Sequence, residues 1–225
     1  NPAVGASALW WNTSGSENTA VGREALIRNE TGFYNTAVGF QSLYYNTSSY
    51  NTTTGDKALY KNTSGSHNTA VGYAALYENT TGTYNVAIGR NAMYFNTGSY
   101  NTATGYYAFA NNTTGQRNSA LGYRALDNNT TGGYNTAHGA HALNFVNTGS
   151  YNTGVGYDAG PTLTDLNNTT AIGYQAVPTA SNQVRVGNTA VTSIGGQVSW
   201  TTFSDGRFKK DIKEDVSGLD FIIQL

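Results

Sequence analysis

Residues 68–84 read NTAVGYAALYENTTGTY, and nearly the same phrase returns along most of the chain. Aligned on its Asn-Thr-Ala-Val-Gly opening, units begin at Asn1, Asn18, Asn35, Asn51, Asn68, Asn85, Asn101, Asn118, Asn135 and Asn152, with a degenerate copy around NTTAIGYQAV. The spacing is 17 residues with occasional 16s, and the idealised unit is N-T-A-V-G-x-x-A-L-x-x-N-T-T-G-x-Y. A fixed short period is the signature of a repeat architecture, in which each unit buries its apolar face only against its neighbours. A second period lies above the first. Unit lengths run 17, 17, 16 and again 17, 17, 16, and the last position reads Glu17, Tyr34, Tyr50; His67, Tyr84, Tyr100; Arg117, Tyr134, Tyr151. This pattern fits duplication of a three-unit block.

Seventeen residues are too few for a helical or leucine-rich repeat. They suffice for two five-residue strands joined by tight turns. TAVG and xALx carry small and β-branched residues, while NTTG or NTSG is turn chemistry, with Asn able to bond its own backbone and Gly able to take positive φ. The expected fold is therefore all-β: a parallel β-roll or β-solenoid of about ten 17-residue coils. Each coil would lie ~4.8 Å above the last, giving a rod on the order of 50 Å long.

The columns of the repeat predict which side chains lie inside. The third and eighth positions are nearly always Ala (Ala20, Ala37, Ala70; Ala25, Ala58, Ala75), as needed where backbones approach closely. The fourth (Val21, Val38, Val71, Ile88, Leu121) and ninth (Leu26, Leu43, Leu59, Leu76, Met93, Leu126) are larger and apolar. So narrow a coil has room for one of these two sets. The other needs a second chain to cover it, at roughly 1.5–3 kcal/mol per buried Val or Leu, and a homotrimer is the expected assembly.

Composition narrows the classes further. Charged residues make up 11% of the chain and the formal net charge is -1, which offers no electrostatic basis for holding nucleic acid or an anionic membrane. With 17 Tyr, 8 Phe and 3 Trp the chain lacks the composition of disorder, and with no Cys it has neither disulfides nor thiolate metal sites. No apolar run approaches a membrane span and no segment resembles a signal peptide. Because NPAVGASALW is already in register, the N-terminus is expected to be a cut inside a longer chain. No phosphate loop, paired-carboxylate constellation or Ser/His/Asp set occurs, and no cofactor is expected.

Three features are candidate sites. His138 takes the apolar fourth position in NTAHGAHAL. If that column faced a threefold axis, three imidazoles would meet there and could hold Zn, Ni or Fe; the alternative is a buried histidine bonded to backbone or water. His67 and His141 read as surface residues. The tyrosines at the end of each unit (Tyr34, Tyr50, Tyr84, Tyr100, Tyr134, Tyr151) and those after the glycine (Tyr73, Tyr106, Tyr123, Tyr157, Tyr174) suit binding of glycans or protein surfaces, and equally suit stacking between coils. The many N-x-[ST] sequons follow from turn chemistry and carry little weight as glycosylation sites. Regular, weakly charged Thr arrays also admit an ice- or crystal-surface binder.

The units NTAVGYAAL and NVAIGRNAM resemble the head repeats of trimeric autotransporter adhesins, and more closely the NTAVGYQALYxNTTGxY arrays of phage, viral and bacterial fibre proteins. The resemblance covers residues 1–177, although the unit is longer than that of the autotransporters. It implies a trimeric β-roll that works outside the cell, on a virion, an injection-system fibre or a bacterial surface, and whose partner is a cell-surface receptor or glycan. Residues 178–203 lose the ALxxNTTG half and alternate apolar residues (Val184, Val186, Val191, Ile194, Val198), so short closing strands and a stalk are expected there.

The last segment, residues 204–225, changes character. Eight of the chain's charged residues fall between Asp205 and Asp215. SDGRFKKDI followed by GLDFIIQL resembles the start of the S74-type intramolecular chaperone domain of tail fibres and tailspikes, which leads into a helix. The resemblance implies a module that trimerises the fibre and then cuts itself off, with Ser204 as nucleophile, Lys209 as its general base and the cut beside Asp205. Burial or the nearby cations Arg207 and Lys210 would lower the pKa of such a lysine enough for it to act as a base. The plain alternative is a turn followed by a solvated charged hinge. Beyond that self-cleavage, no enzyme activity is expected.

Overall fold

A computed structural model describes residues 1–195 of the chain. The repeats wind into a parallel β-solenoid of about eleven turns. One short strand per turn joins a single sheet whose spatial order is the chain order. The strands are β1 (Ala3–Val4), β2 (Thr19–Val21), β3 (Thr36–Val38), β4 (Thr52–Thr54), β5 (Thr69–Val71), β6 (Val86–Ile88), β7 (Thr102–Thr104), β8 (Ser119–Leu121), β9 (Thr136–His138), β10 (Thr153–Val155), β11 (Thr170–Ile172) and β12 (Val184–Val186). Register is strict: Thr19 lies beside Thr36, Ala20 beside Ala37 and Val21 beside Val38. β12 pairs in parallel with β11 and extends the sheet by one rung.

The expectation of two five-residue strands per coil is corrected. Each full coil has one three-residue strand, and the ALxxN half is a run of turns. In the second coil Glu24 and Leu26 stand at φ 60° and 51°, and equivalent pairs recur, such as Ala74 with Leu76 and Asn91 with Met93. A left-handed residue other than glycine costs on the order of 1 kcal/mol, so something must hold it there. Coil-to-coil hydrogen bonds do so: Leu26 N–H donates to Ser42 O at 3.0 Å and Arg28 N–H to Tyr44 O at 3.2 Å. The bends let the chain turn back within 17 residues while still bonding to its neighbours. One position needs glycine outright. Gly55 has φ +141°, and a Cβ there would stand 2.5 Å from the Gly72 carbonyl oxygen of the next coil.

The interior has two halves. One is apolar, built from the Ala columns and the ninth-position column Leu26, Leu43, Leu59, Leu76, Met93, Phe109, Leu126 and Leu143, each at most 1% exposed. The other is polar and just as dry. Asn68, 1% exposed, donates from Nδ2 to Gly82 O (2.8 Å) across its own coil, while its Oδ1 accepts the Asn85 backbone N–H of the next (3.0 Å). The link repeats from Asn18 on Asn1 to Thr169 on Asn152. A second ladder uses the NTTG asparagines: Asn62 Nδ2 donates to Asn46 Oδ1 (2.7 Å) and Asn79 Nδ2 to Asn62 Oδ1 (3.1 Å). These residues are therefore not ordinary turn asparagines. Because Asn46, Asn62, Asn79, Asn112 and Asn129 are fully buried, their sequons are closed to a glycosyltransferase in the folded chain. The second ladder has no link between Asn79 and Asn96 and makes its last one from Asn112 Nδ2 to Asn96 Oδ1; both Asn129 amide atoms are unpartnered, and Val146 takes the place in the coil after it.

Candidate functional site

Two faces of the solenoid present regular arrays. On the strand face, the middle residue of each strand from β2 to β11 points inward while its neighbours point out, as the period of two requires. The outward residues form a Thr column (Thr19, Thr36, Thr52, Thr69, Thr102, Thr136) beside the fourth-position column. Of the two large apolar columns the ninth is inside and the fourth is uncovered, with Val71 37% and Leu121 49% exposed. His138 stands in this exposed column on β9, its Nε2 3.5 Å from Ser119 Oγ, and is not buried among backbone groups. Among the described residues no three His, Cys, Asp or Glu side chains are placed to share a metal ion, and no helix is long and apolar enough to cross a membrane.

The turn face carries the aromatic columns. The unit-end tyrosines stack ring on ring: Tyr34 on Tyr50 (5.3 Å between centroids), Tyr50 on His67 (4.8 Å), His67 on Tyr84 (4.7 Å) and Tyr84 on Tyr100 (5.1 Å). Arg117 continues the column as a guanidinium 5.4 Å from the ring centroids of both Tyr100 and Tyr134, and Tyr134 stacks on Tyr151 at 4.9 Å. His67 and Arg117 thus interrupt the tyrosines without ending the column. Neighbouring rings and the Arg117 guanidinium lie over the faces of the interior members, and Arg117 Nη1 also donates to the Tyr134 hydroxyl (2.6 Å). The column after the glycine is looser. Tyr106 stacks on Tyr123 and Tyr157 on Tyr174, His141 meets Tyr123 and Tyr157 edge-on, and Tyr73 lies 5.3 Å from Arg90.

A third aromatic column, at the tenth position, was not singled out from the sequence. Tyr44, Tyr60, Tyr77 and Tyr94 stack at 5.1, 5.0 and 5.0 Å. Burial and its phenolic neighbours push the Tyr60 hydroxyl up to about 12, and burial raises that of Tyr94. The column then stops, with Ala110 and Asp127 occupying the next two places. At the break lies a cleft of about 510 Å³ lined by Tyr94, Tyr107 and Ala110 together with Lys57, Arg90 and Arg124. Asp127, 1% exposed, holds Arg124 Nε at 2.7 Å and raises the pKa of that guanidinium. Asn91 lines the same cleft, 7% exposed, with its Oδ1 unpartnered. Tabulating the tenth column would have shown the break, since four tyrosines give way to Ala110 there.

Ser204, Asp205, Arg207, Lys209 and Lys210, and the helix expected after them, lie outside the described residues. No protein-family model, curated protein or solved structure matches this chain.

Proposed function

We propose that the chain is part of a homotrimeric extracellular fibre or adhesin that attaches its carrier to a cell surface. The observation that carries this reading is the uncovered fourth-position column beside the Thr column, in register along the sheet. A single coil buries one apolar column and leaves the other in water. Association around an axis running along the solenoid would cover it, as trimeric fibre heads with similar repeats do. His138 would then meet its symmetry mates as the one imidazole in that column. The C-terminal charged segment fits the same reading as the start of a trimerising chaperone that cleaves at Ser204. An Ser204→Ala precursor carrying the complete chaperone would then stay uncut.

Light scattering on the purified chain tests the assembly. The expected mass is three times that of one chain, and the combined variant Val71→Glu, Ile88→Glu, Leu121→Glu is expected to be monomeric with its β-sheet circular dichroism kept. A folded wild-type monomer would overturn the trimer. A second reading rests on the same face: its rungs of Thr, doubled at Thr52 with Thr54 and at Thr102 with Thr104, form a weakly charged array suited to an ice or crystal lattice. Thermal hysteresis from a wild-type monomer would favour it.

A further inference from the structure

The geometry points to the cleft at Ala110 as a binding site for an acidic saccharide, a pyranose carrying a carboxylate. This gives the attachment reading a ligand class and rests on that reading for its biological setting.

The physical case begins with the missing ring. Tyr77 and Tyr94 stack at 5.0 Å with their planes 4° apart. In the next coil the alignment puts Ala110 where a tyrosine would have continued the stack, since Phe95 N–H bonds to Ala110 O at 3.0 Å. The outer face of Tyr94 therefore looks toward a space about one ring thick, with Asp127 and its Arg124 partner one coil beyond. Tyr94 ends its column at this cleft, stacked on Tyr77 on one side and meeting Phe95 edge-on at 4.7 Å. The C–H face of a pyranose is a natural occupant for such a slot, because it is apolar on its flat side and rimmed by hydroxyls.

Charge makes the choice narrower. The chain carries a net charge of -1, yet Lys57, Arg90 and Arg124 converge on this cleft from three different coils. The lone carboxylate lining it, Asp127, is taken by Arg124, and Glu78, which follows Tyr77, is paired with Lys61 at 2.8 Å. Arg90, exposed and 5.3 Å from the Tyr73 ring centroid, has its guanidinium edge open for a carboxylate, the geometry that arginine reads best. A neutral sugar would leave the cations unused, and a bare phosphate would leave the ring face unused.

Isothermal titration of the full chain with a tetrasaccharide of alternating glucuronate and N-acetylglucosamine tests this. Saturable binding is expected, weakened about tenfold or more by methyl-esterifying the carboxylates. Arg90→Ala should weaken it by a similar factor. Ala110→Tyr completes the aromatic column, so it should abolish binding while leaving the thermal midpoint at or above the wild-type value. Leu163→Ala, an exposed residue outside the cleft, should leave affinity unchanged. The proposal falls if wild type does not bind at millimolar tetrasaccharide, if the ester binds equally well, or if a nucleoside monophosphate binds more tightly. If Ala110→Tyr does not fold, unchanged affinity in Arg90→Ala is enough to overturn it. None of these readings depends on oligomeric mass, so failure here is distinct from failure of the trimer.

Discussion

The two halves of the solenoid interior are equally dry and are held by opposite means. In the apolar half, Leu76 and Ala75 are fully buried and are stabilised by leaving water. In the polar half Asn68 and Asn79 are as buried, and each is kept by hydrogen bonds that cross from coil to coil. The difference lies in tolerance. The apolar column accepts Met93 and Phe109 among leucines because packing asks only for volume and shape. The first polar column runs as Asn from Asn1 to Asn152 because each carboxamide must both donate across its own coil and accept from the next backbone.

The largest expected effect comes from making the polar half behave like the apolar one. Asn68→Leu keeps a similar volume but strands the buried Asn85 N–H, while the Gly82 carbonyl keeps its bond from Asn79 Nδ2 (3.0 Å). At about 1–3 kcal/mol for a buried unsatisfied group, the variant should lose roughly 1–3 kcal/mol. The matching change in the other half, Met93→Leu, should cost less than about 1.5 kcal/mol. Denaturant unfolding of the two variants measures both. Equal losses would mean that the ladders contribute no more than their volume.

The exception inside the apolar half sharpens the contrast. In one layer, Ser42 and Thr53 replace the usual alanines, both fully buried, with their hydroxyls hydrogen-bonded to each other and Thr53 Oγ1 3.2 Å from Thr36 O. Ser42→Ala alone removes one partner and should cost about 1–2 kcal/mol. The double variant with Thr53→Ala restores the pattern of neighbouring coils and should recover part of that loss. A double-mutant cycle by urea unfolding gives the coupling; strict additivity would show that the two hydroxyls act independently.

These contrasts were only partly legible in the sequence. The period, the Ala columns and the rule that one of two apolar columns stays outside follow from residue size, and Leu26 inside with Val21 outside agrees with them. The ALxxN half was misjudged because its small and apolar residues suit a strand, while the bend lies in the backbone of Glu24 and Leu26, whose positive φ no side chain announces. The asparagines were read as turn formers because NTTG would look the same whether its amide bonds its own loop or the next coil. The tyrosine columns were visible as candidates for either stacking or ligand contact, and the structure shows the stacking. The cleft went unseen because its signal is an absence, the alanine at position 110 after four tyrosines.

The smallest effect concerns pH and also divides inside from outside. Neither half of the interior depends on an ionised ladder, so pH enters through the outer face. There Tyr60 is the clearest case. Burial first, then Tyr45 and its stacked neighbours, raise its hydroxyl from 10.0 to about 12. A raised phenolic pKa means that the fold favours the neutral form. Its contribution is therefore complete below pH 10 and declines as the pH climbs toward 12, the unfolded chain releasing the proton first. Thermal unfolding followed from pH 8 to 12 should show the midpoint falling in that window, and Tyr60→Phe should fall less steeply. A Tyr60→Phe curve that parallels wild type through pH 12 would place the alkaline loss elsewhere. Lys61 would then be the next group to examine, since its hydrogen bond to Glu78 raises its pKa and its contribution too is lost only as the pH rises.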